Sequence, residues 1–135
     1  MSRSPSRPEY FVDRSLGRHH VADLLREAGW TVHKHVEVFG ERDESVSDIE
    51  WLEYCGRQQL VVLTKDRRLR YRPREIAAIR RYRVKAFVLT SGNLRADEQA
   101  RRFLDQEQRI EAACSDSGPF VCAVRADRIV RVFPA

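Results

Sequence analysis

The chain has no apolar run approaching the ~18 residues that a membrane span needs. Its first residues, Met1 to Pro8, lack the apolar core of a signal peptide. The expectation is a cytoplasmic protein with no membrane partner. Cysteine is scarce: Cys55, Cys114 and Cys122 are odd in number and lack metal-site spacing. They read as small buried residues of a reduced protein, with a Cys114–Cys122 bridge as the alternative. No internal repeat is visible. What is present is one domain's worth of chain, since 135 residues bury most of their apolar surface without staples.

The formal charge is +5. All but three of the 25 cationic residues are arginine, the side chain that grips phosphate bidentately. A modest basic excess says little about partners, but its distribution says more. From Lys65 to Lys85 there are ten Lys or Arg and two acids, Asp66 and Glu75. This stretch is either a solvated basic face or a surface for a nucleic-acid backbone. In the second case Lys65, Arg67, Arg68, Arg70, Arg72 and Arg74 are the candidate contacts.

The pattern of elements predicts an α/β fold. Residues 1–8 read as a flexible basic tail and 9–135 as a single domain. Tyr10-Phe11-Val12-Asp13 is a short apolar run ending in an acid. A helix over 18–28 buries Val21, Leu24, Leu25 and Ala28 in one stripe and stops at Gly29. Residues 30–38 alternate, with Trp30, Val32, Val36 and Val38 on one face and His33, His35 and Glu37 on the other, as in an edge strand with one wet face. After an acidic loop with Glu41, Asp43 and Glu44, Ser47 and Glu50 have capping-box spacing for a second helix ending near Gly56. Leu60 to Thr64 reads as a strand buried on both faces. A third helix starts at Pro73, a fourth strand spans 84–90, and one long helix covers 95–114. A closing β-hairpin spans 120–133. Alternating strands and helices predict a central, mostly parallel sheet, in the order 2-1-3-4 if the first strand lies at the switch point.

Asp13 and Asp66 then lie at the carboxyl ends of neighbouring strands, where ligands sit in open α/β sheets. They would face each other across one strand spacing of about 4.8 Å. A strand-end aspartate is often a turn residue. Two converging carboxylates repel unless a cation or proton lies between them. Mg2+ or Mn2+ prefers oxygen ligands and can assist phosphodiester hydrolysis. Asp48 has two readings: an acid stabilised by the helix dipole, or a third carboxylate of the site.

The segments Phe11-Val12-Asp13-Arg14-Ser15-Leu16-Gly17, Ser47-Asp48-Ile49-Glu50 and Val62-Leu63-Thr64-Lys65-Asp66 resemble the PIN-like nuclease domains. They are closest to the compact group that includes VapC-type toxins of bacterial toxin–antitoxin pairs. The resemblance covers roughly residues 10–104. It implies a three-layer α/β/α PIN-like domain that cuts single-stranded RNA with Mg2+ or Mn2+, with Asp13, Asp48 and Asp66 as the catalytic and metal-binding acids. The implied partners are an RNA substrate, a cognate antitoxin and a second copy of the chain. Many relatives carry another aspartate two residues after the third acid, where this chain has Arg68. Glu44 and Glu50 are candidates for a fourth acid, and Ser91 and Asn93 for neutral groups in the same crevice. The rival expectation is a catalytically silent nucleic-acid- or partner-binding module on the same fold. A phospho-receiver fits less well, because that chemistry wants an acid pair after the first strand and Asp13 is followed by Arg14.

Overall fold

In a computed structural model that describes residues 7–90 and 92–134, six strands form one sheet. They are β1 (Glu9–Val12), β2 (Thr31–Lys34), β3 (Val61–Thr64), β4 (Lys85–Leu89), β5 (Phe120–Val124) and β6 (Ile129–Phe133). Their order is β2-β1-β3-β4-β5-β6, parallel throughout except for the antiparallel β5–β6 hairpin, which extends the sheet beyond β4. Six α-helices accompany them: α1 (His20–Glu27), α2 (His35–Phe39), α3 (Asp48–Gln58), α4 (Pro73–Tyr82), α5 (Ala96–Asp105) and α6 (Glu107–Cys114).

The layering follows from strand periodicity. Successive residues point to opposite faces, and both faces here are apolar. Tyr10, Val12, Leu63 and Phe87 pack under Val21 and Leu25 of α1, Phe103 of α5 and Ile110 of α6. The intervening Phe11, Val62, Ala86 and Val88 pack against Trp51, Leu52 and Cys55 of α3 and Ile79 of α4. The result is the expected three-layer α/β/α arrangement. Among the described residues no helix is long and apolar enough to cross a membrane. All three cysteines are free, with Cys55 and Cys122 buried.

Two local expectations are corrected. The strand expected over 30–38 ends at Lys34, and the chain coils into α2. Coiling brings the Glu37 carboxylate onto the Lys34 backbone N–H at 3.1 Å and onto Arg26 at 2.5 and 2.9 Å. Val38 and Phe39 then reach the core beside α3, and His35 is buried rather than wet. The long helix over 95–114 is two helices broken at Gln106. Gln106 is buried, and its amide donates to the Arg125 and Ala126 carbonyls at 3.3 and 3.0 Å. Straight helical geometry gives way to satisfying that buried amide. Arg7, the first described residue, pairs with Glu107 and Glu111 of α6 at 3.0 and 3.5 Å.

The second helix ends near Gly56 as expected, and Gly56 itself lies inside α3, two residues before its last residue, Gln58. Gln59 stops the helix in the left-handed conformation at φ 58°. Gly56 is needed for closeness: a Cβ there would stand 2.4 Å from the Tyr82 carbonyl oxygen at the end of α4. Gly56→Ala gains about 1 kcal/mol of helix propensity but forces α3 and α4 apart, an overpacking cost of about 1–3 kcal/mol. The variant is expected to be less stable than wild type in urea denaturation. Equal or greater stability would show that the two helices separate without cost.

Candidate active site

Asp13 directly follows β1 and Asp66 lies two residues past β3. Parallel register pairs Val12 with Leu63, and the Asp13 N–H donates to the Leu63 carbonyl at 2.9 Å. Asp13 therefore lies beside Thr64, not opposite Asp66 as the strand-end reading expected. The Thr64 hydroxyl donates to Asp13 Oδ2 at 2.8 Å, and Thr64 Oγ1 accepts from the Asp66 N–H at 3.0 Å. Ser15 Oγ is 3.0 Å from Thr64 Oγ1 and accepts from the Lys65 N–H at 3.0 Å. Two hydroxyls thus lock the ends of β1 and β3 together under the two aspartates. Sequence reasoning assigned neither of them a role.

Asp48 enters from the first turn of α3. Ser47 caps that helix by accepting from the Glu50 N–H at 3.2 Å. The reciprocal half of the capping box is not made, because both Glu50 oxygens pair with Arg42 at 2.8 and 2.9 Å. Asp48 Oδ1 accepts from the indole of buried Trp51 at 2.9 Å. Its other oxygen, Oδ2, is 3.2 Å from Arg72 Nη1, and the same nitrogen is 3.3 Å from Asp66 Oδ2. Asp66 Oδ1 caps the following 3-10 turn by accepting from the Arg68 N–H at 3.1 Å.

Asp48 and Asp66 are thus bridged by one cationic nitrogen, while Asp13 sits deeper, 6% exposed. Burial pushes the Asp13 carboxyl above its ordinary range. Hydrogen bonds from Ser15 and Thr64 pull it down, and the charge of Asp48 pushes it up again, for a net rise. As the side chains stand, no group of three His, Cys, Asp or Glu among the described residues is gathered to hold an ion. Arg72 occupies the space between two of the three acids.

The other predicted residues divide. Glu50 is committed to Arg42, and Glu44 is exposed on the loop before α3. Asn93 is exposed, and Ser91 lies outside the described residues. Lys65, Arg67, Arg68 and Arg74 are exposed, and Arg70 is half-buried. Arg72, expected on the basic face, has its guanidinium engaged by Asp48 and Asp66.

A second polar cluster was not foreseen. Asp43 is 2% exposed, and its Oδ1 lies 2.5 Å from Nδ1 of buried His35. Its Oδ2 lies 3.2 Å from Arg18 and 3.9 Å from Arg14. Burial alone would raise the Asp43 carboxyl, but hydrogen bonds from His35 and Arg18 outweigh it, and the net shift is downward. In the sequence Asp43 is one of three acids in a loop, and nothing there marks it as the buried one. A cavity of about 660 Å³ opens among Glu9, Val61 and Lys85 at the amino ends of the strands, the edge opposite the aspartates.

A family model described as "PIN like domain" matches residues 8–91. A curated protein of Mycobacterium tuberculosis (strain ATCC 25618 / H37Rv), named "Putative ribonuclease VapC45", is 32% identical over 123 residues, covering 90% of this chain and 89% of its own. No solved structure matches the chain.

Asp13→Asn removes a charge that burial and Asp48 both disfavour. Because its folded pKa lies above the unfolded one, native Asp13 holds its proton to higher pH than the unfolded chain does, and stability falls as pH rises through that interval. The penalty is fully present above the folded pKa. Without divalent ions the variant should melt higher than wild type at pH 7. The gain should vanish near pH ~4, the ordinary carboxylate range. Equal melting at pH 7 would show that the Ser15 and Thr64 hydroxyls compensate the charge.

Proposed function

Because the chain belongs to the PIN-like domain family, we propose that residues 9–135 form one metal-dependent endoribonuclease domain, the toxin of a type II toxin–antitoxin pair acting on single-stranded RNA in the cytoplasm. The observation that carries this reading is the convergence of Asp48 and Asp66 on a single positive nitrogen, at 3.2 and 3.3 Å, beside the buried carboxyl of Asp13. That nitrogen is a stand-in for a cation. The donor set is carboxylate oxygen, which Mg2+ and Mn2+ prefer, so the residues fit the ion. Asp13, Asp48 and Asp66 would hold it once Arg72 has swung aside.

When bound, the ion lowers the pKa of a water and neutralises charge growing on the phosphoryl oxygens. The chain's own residues do the rest. Ser15 and Thr64 fix the Asp13 carboxylate on the rigid strand ends, as a site of defined geometry requires. Trp51 orients Asp48 through its indole N–H. Arg72, released from the acids, is placed to donate to the scissile phosphate with a charge-assisted bond. Lys65, Arg67, Arg68, Arg70 and Arg74 hold the RNA backbone without reading its sequence. In-line hydrolysis leaves 5′-phosphate and 3′-hydroxyl ends. The cognate antitoxin would set an Arg or Lys where Arg72 now lies, or cover the basic rim with acids.

One observation favours the rival reading of a silent binding module: Arg72 already neutralises two of the three acids. A labelled single-stranded RNA incubated with Mn2+ separates the two. Wild type should cleave it, and Asp66→Asn and Asp13→Asn should lose orders of magnitude of rate, since an ion contributes several kcal/mol at the transition state. The rise in melting temperature on adding Mn2+ should shrink in the same variants, because stabilisation by a ligand follows its affinity. Asp48→Asn with full activity would reduce Asp48 to a helix-dipole residue. Wild-type rates in either strand-end variant would remove the active-site assignment. In cells, expressing the chain alone should slow growth and co-expressing the adjacent gene should relieve it; harmless expression of active protein would remove the toxin role but not the nuclease.

A further inference from the structure

Beyond the aspartates, on the side of the 3-10 turn Arg67–Arg70, lies a groove of about 300 Å³. Its floor is apolar, from Val88 of β4 and Ala123 of β5, and its rim carries Arg67, Arg70, Tyr71 and Arg125. Three features set this rim apart. Tyr71 is the exposed large hydrophobic side chain among the described residues, at 63%. The Arg70 guanidinium lies over the Tyr71 ring, 4.4 Å from its centre, and also donates to its hydroxyl. Arg67 reaches only a backbone carbonyl, that of Thr90 at 3.4 Å, and neither it nor Arg70 or Arg125 shares a salt bridge with a carboxylate among the described residues. Around the aspartates and β2, by contrast, Arg14, Arg18, Arg26, Arg42 and Arg72 are matched with acids.

An unmatched cluster of guanidinium groups asks for an anion. An exposed ring stiffened by a stacked guanidinium asks for a flat partner. A nucleotide supplies both in one unit: a phosphate for the arginines and a base for the ring. The groove also adjoins the site, since Arg67 follows Asp66 directly in the chain. We infer that this groove is a nucleotide subsite for single-stranded RNA, in which a base next to the cleaved phosphodiester stacks on the Arg70–Tyr71 pair and its phosphates meet Arg67 and Arg125. This inference rests on the ribonuclease reading and assigns to that site a means of gripping unpaired bases. A duplex keeps its bases stacked inside, so the platform selects single strands.

The test is fluorescence anisotropy in EDTA, where no cleavage occurs, with a labelled twelve-nucleotide single-stranded RNA and an abasic ribose-phosphate strand of the same length. Tyr71 is exposed, so its variants should keep the wild-type melting temperature. Tyr71→Ala should weaken binding of the RNA by roughly tenfold or more while leaving the abasic strand nearly unaffected, and Tyr71→Phe should restore the loss. Arg125→Gln should weaken both strands and lower the slope of log affinity against log salt by about 0.7. Unchanged RNA affinity in Tyr71→Ala, in wild type that cleaves RNA with Mn2+, overturns the subsite alone. Wild type that neither binds nor cleaves RNA overturns the subsite and the ribonuclease reading together. Wild-type RNA affinity in both variants, combined with weakened binding of a glutamate decapeptide, assigns the groove to an acidic protein segment and overturns the inference.

Discussion

The repulsion among three aspartates at one edge of the sheet is the constraint to which this part of the molecule answers. Asp13, Asp48 and Asp66 come from the end of β1, the start of α3 and the turn after β3. The chain meets their repulsion in two ways. Asp13 is held deep, bonded to hydroxyls, and titrates above its ordinary range. Asp48 and Asp66 share Arg72. Arg72 is also the residue from which α4 departs, so one guanidinium ties together the starts of two helices and the turn between β3 and α4. Removing it would leave two carboxylates facing each other at the point where α3 and α4 meet the sheet. A divalent ion at that point would replace the bridge charge for charge and more, and would leave the arginine free.

Much of this was legible in the sequence because it rests on local signals. Leu60 to Thr64 is too apolar to be anything but a central strand, and it is one; Ser47 does cap α3. The parallel sheet followed from the alternation of elements, while its order rested on taking the first strand as the switch point. What was not legible depends on contacts distant in sequence. Register between β1 and β3 has no local signature, so Asp13 was placed opposite Asp66 when it lies beside Thr64. Residues 35–38 alternate as well as any strand, and only Arg26 and the apolar face of α3 decide that they coil. Gln106 looked like one more polar residue on a helix until the β5–β6 turn supplied carbonyls for its amide. Gly56 resembled a helix stop because the close approach of Tyr82 cannot be seen in sequence.

The arginines show why net charge says so little. A formal charge of +5 conceals arginines in different roles, two of which stand out. One is internal to the architecture: Arg26 pins α1 to α2 through Glu37, Arg18 and Arg14 approach the buried Asp43, and Arg72 bridges the aspartates. Exposed pairs of this kind add little stability individually, but the partly buried ones set which acids remain free to act. The second population, Arg67, Arg70 and Arg125, faces a groove without carboxylate partners. Neither population could be told from the other by counting the run from Lys65 to Lys85, in which Arg72 and Arg70 are two residues apart and do opposite things.

The carboxyl edge of the sheet thus divides into three zones of different electrostatic character. Over β2 lies a neutralised cluster, Asp43 with His35 and two arginines. Over β1 and β3 lie the aspartates, two of them bridged by the Arg72 guanidinium. Over β4 and β5 lies the groove, cationic and partly aromatic. A polyanion drawn along this edge by the groove would meet the aspartates as a barrier unless their charge is offset. Arg72 offsets it in the structure, and an ion would do so more strongly. Attraction by the arginines and repulsion by the acids are therefore not in conflict. The first brings a phosphodiester to the edge, and the second ensures that its approach to the centre requires a cation there, which is also the condition for hydrolysis on the reading proposed above.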